Sequence, residues 1–227
     1  MIQVTRTKKP VVLVENAQNW TIEYLKAKQI YDTSKTPENK KTVQNIEKRY
    51  NHSDVKTSLK KMFKNKCAFC ESRITHIDYG QIEHFKPKSK YPNLCFDWEN
   101  FLLSCSICNG KSNKGDKFPL ENEDGPFINP VDENPDDFLK FEFDKITQTF
   151  LIFPKNNRGF TTIKELGLDR DDLIENRTIE LSKIIYTLDL VLKCNKVEVL
   201  EAFIKEFSEK DQYYAFIKVI FEKVKNN

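Results

Sequence analysis

Two Cys-x-x-Cys turns, Cys67-Ala-Phe-Cys70 and Cys105-Ser-Ile-Cys108, constrain this chain more than any other feature, and thirty-four residues separate them. A turn of that spacing lets two thiolates converge on one ion without straining the backbone, and two such turns complete the tetrahedron that Zn²⁺ prefers. In a reduced compartment the spacing reads as a metal framework and not as a disulfide framework. A full shell of four thiolates leaves no open position for water, so the expected ion is structural, contributing about 10–16 kcal/mol of apparent binding energy to folding. Cys95 and Cys194 stand outside the pattern and are expected to be plain thiols.

A chain of 227 residues is long enough to bury a core of its own, so the zinc knot need not hold the whole fold. Its 39% hydrophobic and 31% charged residues match a helix-rich globular protein and argue against disorder. Apolar runs such as Ile184–Ile185 and Val191–Leu192 are broken by Tyr, Asp and Lys, far short of the ~20 residues that cross a bilayer. The first ten residues carry no apolar core of a signal peptide, so the expected location is the cytoplasm, with no membrane partner. Charge is uneven: residues 60–120 hold eleven Lys/Arg against six Asp/Glu (+5), while residues 121–144 hold nine acids against Lys140 alone (−8). A basic central segment suits phosphate contacts, although such a run is more often a solvated face.

Helical spacing runs from Asn19 to Tyr31 through Trp20, Ile22, Tyr24, Leu25 and Ile30. Thr36-Pro37-Glu38 offers a cap, a first-turn Pro and an acid, predicting a helix that runs toward Tyr50; Ser53-Asp54 predicts the cap of another. Residues 138–144 and 149–153 alternate as a β-hairpin around a polar turn. Amphipathic helices are expected over 171–193 and 196–225. The expected organisation is an N-terminal helical region (1–60), a central cysteine-framed core (61–130), and a hairpin with C-terminal helices (131–227).

Within the cysteine frame stand Gln81-Ile82-Glu83-His84-Phe85-Lys86-Pro87-Lys88, Trp98-Glu99-Asn100, and Asn109-Gly110-Lys111-Ser112-Asn113-Lys114. These residues resemble the HNH endonuclease motif, in which an acid and a His end a strand, an Asn follows, and a last His or Asn comes directly after the second Cys-x-x-Cys. The resemblance implies an α+β, predominantly helical fold around a treble-clef-like ββα-metal core stapled by the four-cysteine zinc site. It implies that His84 activates water, that Glu83 and Asn109 hold a catalytic Mg²⁺ or Mn²⁺ through oxygen, and that Asn100 fixes the loop against the helix. The acid is Glu where Asp is commoner, the last letter is Asn, and Asn113 is a rival for the last ligand.

Those residue types answer the needs of phosphodiester hydrolysis. A base must deprotonate water, and a divalent cation must neutralise charge growing on the phosphate and leaving oxygens. Neutral imidazole suits the first task, and hard oxygen donors suit Mg²⁺. Adjacent residues of a regular strand point to opposite faces, so Glu83 and His84 can serve one ion and one water only where the strand ends or bulges; Pro87 is consistent with an ending. Lys86, Lys88, Lys90, Lys111, Lys114 and Lys117 flank the segment and could hold phosphates in register. His52 and His76 match no position of the motif and are expected to be structural.

Further residues, among them Lys117-Phe118-Pro119-Leu120, Asn129-Pro130, and more weakly Leu166-Gly167-Leu168-Asp169-Arg170 with Arg177, resemble the HNH branch of Septu-type anti-phage systems and retron-associated defence cassettes. That branch implies nucleic acid, DNA first, as substrate and an ABC- or SMC-like ATPase subunit as partner. Two other readings stay open: a non-catalytic zinc module that binds nucleic acid or protein, and a nuclease that cleaves RNA or tRNA.

Overall fold

A computed structural model describes residues 1–74 and 79–225, so the expectation for His76 lies outside the described residues. The chain forms two compact units, one of residues Thr5–Asn65 and Ile74–Phe118, the other of Met1–Val4, Lys66–Arg73 and Pro119–Asn227.

The unit that carries the Glu83-His84 segment opens with helix α1, Val11–Thr33, whose N-cap is Pro10. The sequence predicts this helix only from Asn19; of the apolar residues on which that reading rests, Ile22, Leu25 and Ile30 are exposed, as are Val11 and Val14 in the turns that precede them. The buried stripe is Leu13, Ala17, Tyr24 and Ala27. The rings of Trp20 and Tyr24 meet Phe96 edge-on at 5.6 and 5.9 Å.

Helix α2, Pro37–Glu47, starts as its sequence dictates: the Thr36 hydroxyl accepts the Asn39 N–H at 3.2 Å and Pro37 occupies the first turn, where a missing N–H costs nothing. A 3₁₀ turn over Lys48–Asn51 follows. Helix α3, Ser53–Met62, is capped one residue earlier than predicted, by His52, whose Nδ1 accepts the Asp54 N–H at 3.2 Å. Val55, Leu59 and Met62 form its buried face. Strands β1, Gln81–His84, and β2, Phe101–Ser104, pair antiparallel with Gln81 opposite Ser104 and His84 opposite Phe101. A four-residue helix, α4, follows at Ser106–Asn109.

In the other unit the predicted hairpin forms as β3, Leu139–Asp144, and β4, Thr149–Pro154. Its turn is held by the Asp144 carboxylate, which accepts the Ile146 N–H at 2.8 Å and the Thr147 hydroxyl at 2.9 Å. Helix α5, Asn157–Leu166, ends on Gly167 at φ +58°, a left-handed conformation that glycine adopts without strain. The Leu166–Arg170 stretch is therefore a helix stop followed by the N-cap of α6, Asp171–Lys193. Arg177 of α6 is buried, its guanidinium 4.7 Å from the Phe216 ring. The predicted helix over 196–225 is two helices, α7 at Val197–Lys205 and α8 at Tyr214–Lys225. The break is local: the Asp211 carboxylate accepts the Ser208 N–H at 2.9 Å, and Tyr213 takes φ +59°.

Candidate active site and thiolate cluster

The first Cys-x-x-Cys turn is tight: Cys67 N–H donates to the Ser72 carbonyl and Glu71 N–H to the Cys67 carbonyl, both at 3.0 Å, with Glu71 at φ +62°. In the second, Cys105 is the N-cap of α4 and its Sγ accepts the Cys108 N–H at 3.4 Å. All four thiol sulfurs are buried and lie within 4.8 Å of one another. A zinc tetrahedron with Zn–S bonds of about 2.3 Å needs sulfurs roughly 3.8 Å apart, so donor type and spacing both fit that ion. None of the four is in a disulfide. Cys95 and Cys194 do not belong to the cluster; burial pushes the Cys95 thiol up to about 12, which keeps it protonated and unreactive.

Strand β1 stops at His84, and the next N–H, that of Phe85, donates to the Asn100 carbonyl at 2.9 Å. The sequence requires such an ending if neighbours of opposite facing are to meet at one place, and Glu83 and His84 do line the same cleft, of about 380 Å³. Asn109, Tyr50, Lys88, Lys111 and Asp116 share its wall.

The imidazole of His84 is held from several sides. Its Nε2 lies 2.9 Å from the Cys95 carbonyl, an oxygen that can only accept, so Nε2 carries the proton and Nδ1 the lone pair. Tyr50 and Phe101 meet the ring edge-on at 4.7 and 5.0 Å. Burial pulls its pKa down to about 3, and the Cys95 carbonyl offsets only part of that shift, leaving the ring neutral at ordinary pH.

Glu83 is 3% exposed, and its carboxylate pairs with the ammonium of Lys114. Burial pushes its carboxyl up to about 7 against the pull of that lysine. Asn100 is a buried brace: its Oδ1 accepts the Lys86 N–H at 2.8 Å and its Nδ2 donates to the Lys86 carbonyl at 2.9 Å. The segment it braces is the turn leaving β1, with a longer reach to the Leu94 carbonyl at the end of the 3₁₀ turn Pro92–Leu94.

The amide of Asn109 donates to Gln81 Oε1 at 2.7 Å, which leaves its own oxygen as the atom suited to a cation. Asn113 turns away; its amide donates to the Ile107 carbonyl at 2.8 Å, and it does not line the cleft. The flanking lysines divide. Lys88 and Lys111 line the cleft, Lys86 lies 5.9 Å from the Tyr91 ring, and Lys114 is fully buried. Lys114 is therefore no rim cation waiting for phosphate.

Sequence reasoning missed Tyr50 and Asp116. Tyr50 reads there as the fading end of a helix, whereas the 3₁₀ turn aims its ring at His84. Asp116 lies in a Gly-Asp-Lys stretch whose composition says only that it is exposed. Neither carries a signal without the fold.

No family model matches the chain. It is 33% identical over 216 residues to the Septu protein PtuB of Bacillus mycoides (strain KBAB4), covering 81% of this chain and 70% of that protein. It is 34% identical over 141 residues to the Septu protein PtuB of Bacillus thuringiensis, covering 61% of this chain and 51% of that protein. It is also 34% identical over 152 residues to the retron Vc95 putative HNH endonuclease of Vibrio cholerae serotype O1 biovar El Tor, covering 61% of this chain and 68% of that protein. Among the described residues, no helix is long and apolar enough to cross a membrane.

Proposed function

The chain belongs to the family of Septu PtuB proteins and retron HNH endonucleases, and on that premise we propose that it is a metal-dependent endonuclease that hydrolyses phosphodiester bonds in DNA as the effector of an anti-phage system, together with an ATPase subunit. The observation that carries the reading is the cleft itself, where a neutral, oriented imidazole and a carboxylate lie beside two lysines.

In this reading β1, β2 and α4 are the ββα-metal centre. Nδ1 of His84 takes a proton from water, the water oxygen bonds to phosphorus, and the phosphorus–O3′ bond breaks, the departing O3′ taking a proton from solvent, to leave a 5′-phosphate and a 3′-hydroxyl. Tyr50, Phe101 and the Cys95 carbonyl keep the ring from turning. Glu83 and the Asn109 oxygen would hold Mg²⁺ or Mn²⁺, which supplies positive charge against the phosphate and leaving oxygens. Asn109 is preferred to Asn113 as ligand because it alone of the two lines the cleft. Lys88 and Lys111 would contact phosphates flanking the scissile one without reading bases. The thiolate cluster would hold zinc structurally.

Plasmid and RNA cleavage with Mg²⁺ or Mn²⁺, with and without the partner ATPase, tests the proposal on wild type, on His84→Ala and on wild type with EDTA. The expected result is DNA cutting by wild type, at least about 10²-fold slower cutting by the variant, and unchanged zinc in both. Equal activity in His84→Ala removes the imidazole from its role. Cutting of RNA alone favours the RNA-directed reading, and nucleic-acid binding without cutting under every condition leaves a zinc-stapled binding module.

A further inference from the structure

The sequence places Lys114 among six lysines flanking the site, yet its side chain is fully buried. An ammonium is costly to bury unless it is paired and hydrogen-bonded, so its partners report what it is there for. Two are found at the end of β1: the carboxylate of Glu83 through Oε1, and the main-chain carbonyl of His84 at 3.0 Å. The Lys114 N–H in turn donates to the carbonyl of Cys108 at 3.2 Å, which ties this residue to the second thiolate turn. One side chain thus grips both residues on which the proposed chemistry depends, from behind the cleft that they line.

We infer that Lys114 is a positioning residue that orients Glu83 for a divalent cation and fixes the backbone from which the His84 ring projects. With Oε1 held by the ammonium, the second carboxylate oxygen is the one left for the cation. A fully buried stem has no solvent-filled space to swing into, so the clamp persists when the cleft fills. The lysine acts through the carboxylate and the carbonyl and touches neither the cation nor the scissile phosphate. The inference rests on the proposed roles of Glu83 and His84.

The test follows Mn²⁺ binding to the zinc-loaded full chain by the loss of the free-ion electron paramagnetic resonance signal. The chains compared are wild type, Lys114→Met, Glu83→Gln and the double variant, with zinc content and helicity recorded for each. Lys114→Met should bind Mn²⁺ at least about tenfold more weakly, the loss typical when a partner that orients a ligand is removed, with zinc and helicity unchanged. The double variant should be no weaker than Glu83→Gln, because the lysine works through that carboxylate. Wild-type affinity in Lys114→Met overturns the inference, and so does an additive loss in the double variant. Tighter binding overturns it too and makes the lysine a competitor of the cation. Should Lys114→Met lose zinc, Lys114→Gln, uncharged but still able to donate toward the His84 carbonyl, takes its place and is read by the same outcomes. Failure of wild type to bind Mn²⁺ sinks the nuclease reading and this inference with it; wild-type binding with an indifferent Lys114→Met sinks the inference alone.

Discussion

A carboxyl group as buried as that of Glu83 resists ionisation, and Lys114 recovers only part of the cost, so the group titrates near neutrality instead of near pH 4.5. A divalent cation needs the ionised form. Mn²⁺ binding should therefore strengthen as pH rises through about 7, by roughly tenfold between about pH 6 and pH 8, since each unit below a pKa removes about tenfold of the anion. His84 cannot produce that dependence, because burial holds its pKa down at about 3 and the ring is already neutral throughout the range. Titrating Mn²⁺ across this range into wild type and Glu83→Gln decides the matter; a flat profile in wild type would remove Glu83 as the titrating ligand. Asn100 shows a different use of a polar side chain at the same place: its amide satisfies both main-chain groups of Lys86, which secures the turn leaving β1.

Among the elements, the hairpin and α8 show where burial concentrates. Phe216 of α8 meets Phe141 of β3 at 5.0 Å and Phe150 of β4 at 5.8 Å, both edge-on, and is 2% exposed. Removing that ring leaves a cavity that rigid strands cannot close. Phe216→Ala should cost about 3–5 kcal/mol in urea unfolding of this unit, whereas Phe160→Ala, at a ring 59% exposed, should stay within about 0.5 kcal/mol of wild type. Equal effects would mean that the hairpin is not packed as described. Where a cap and a first-turn Pro coincide, as at Thr36-Pro37, the helix start is legible in sequence, because the signal is a hydrogen bond within a few residues. The start of α1 is not legible, since its buried stripe relies on alanines while its conspicuous aliphatics face outward.

At the scale of the molecule, four thiols from two stretches of chain thirty-four residues apart converge in one buried cluster. Sulfurs so close would repel as thiolates without a cation among them, so the metal binding proposed above would be coupled to folding there. Cys105→Ser should lower bound zinc from about one equivalent to near none and take much of the helical signal with it. Elemental analysis with circular dichroism checks both, and native-like helicity without zinc would separate the cluster from the fold. His84→Ala should keep any zinc, because among the described residues the imidazole meets the Cys95 carbonyl and the rings of Tyr50 and Phe101, and it is not one of the four clustered thiol residues.

From the residues alone came the four cysteines that cluster, the hairpin and the capped start of α2, and from the resemblance to the HNH family came the pair Glu83 and His84 at a strand end. All of these rest on spacing or on contacts within a few positions, which linear order preserves. The resemblance to the HNH family likewise rests on ordered motifs. Tertiary structure alone decided that Asn109 and not Asn113 lines the cleft, that Tyr50 braces the imidazole, and that Lys114 is buried beneath Glu83. Each depends on which side chains are excluded from water when distant segments pack, and a lysine reads the same in sequence whether its ammonium ends in solvent or against a buried carboxylate.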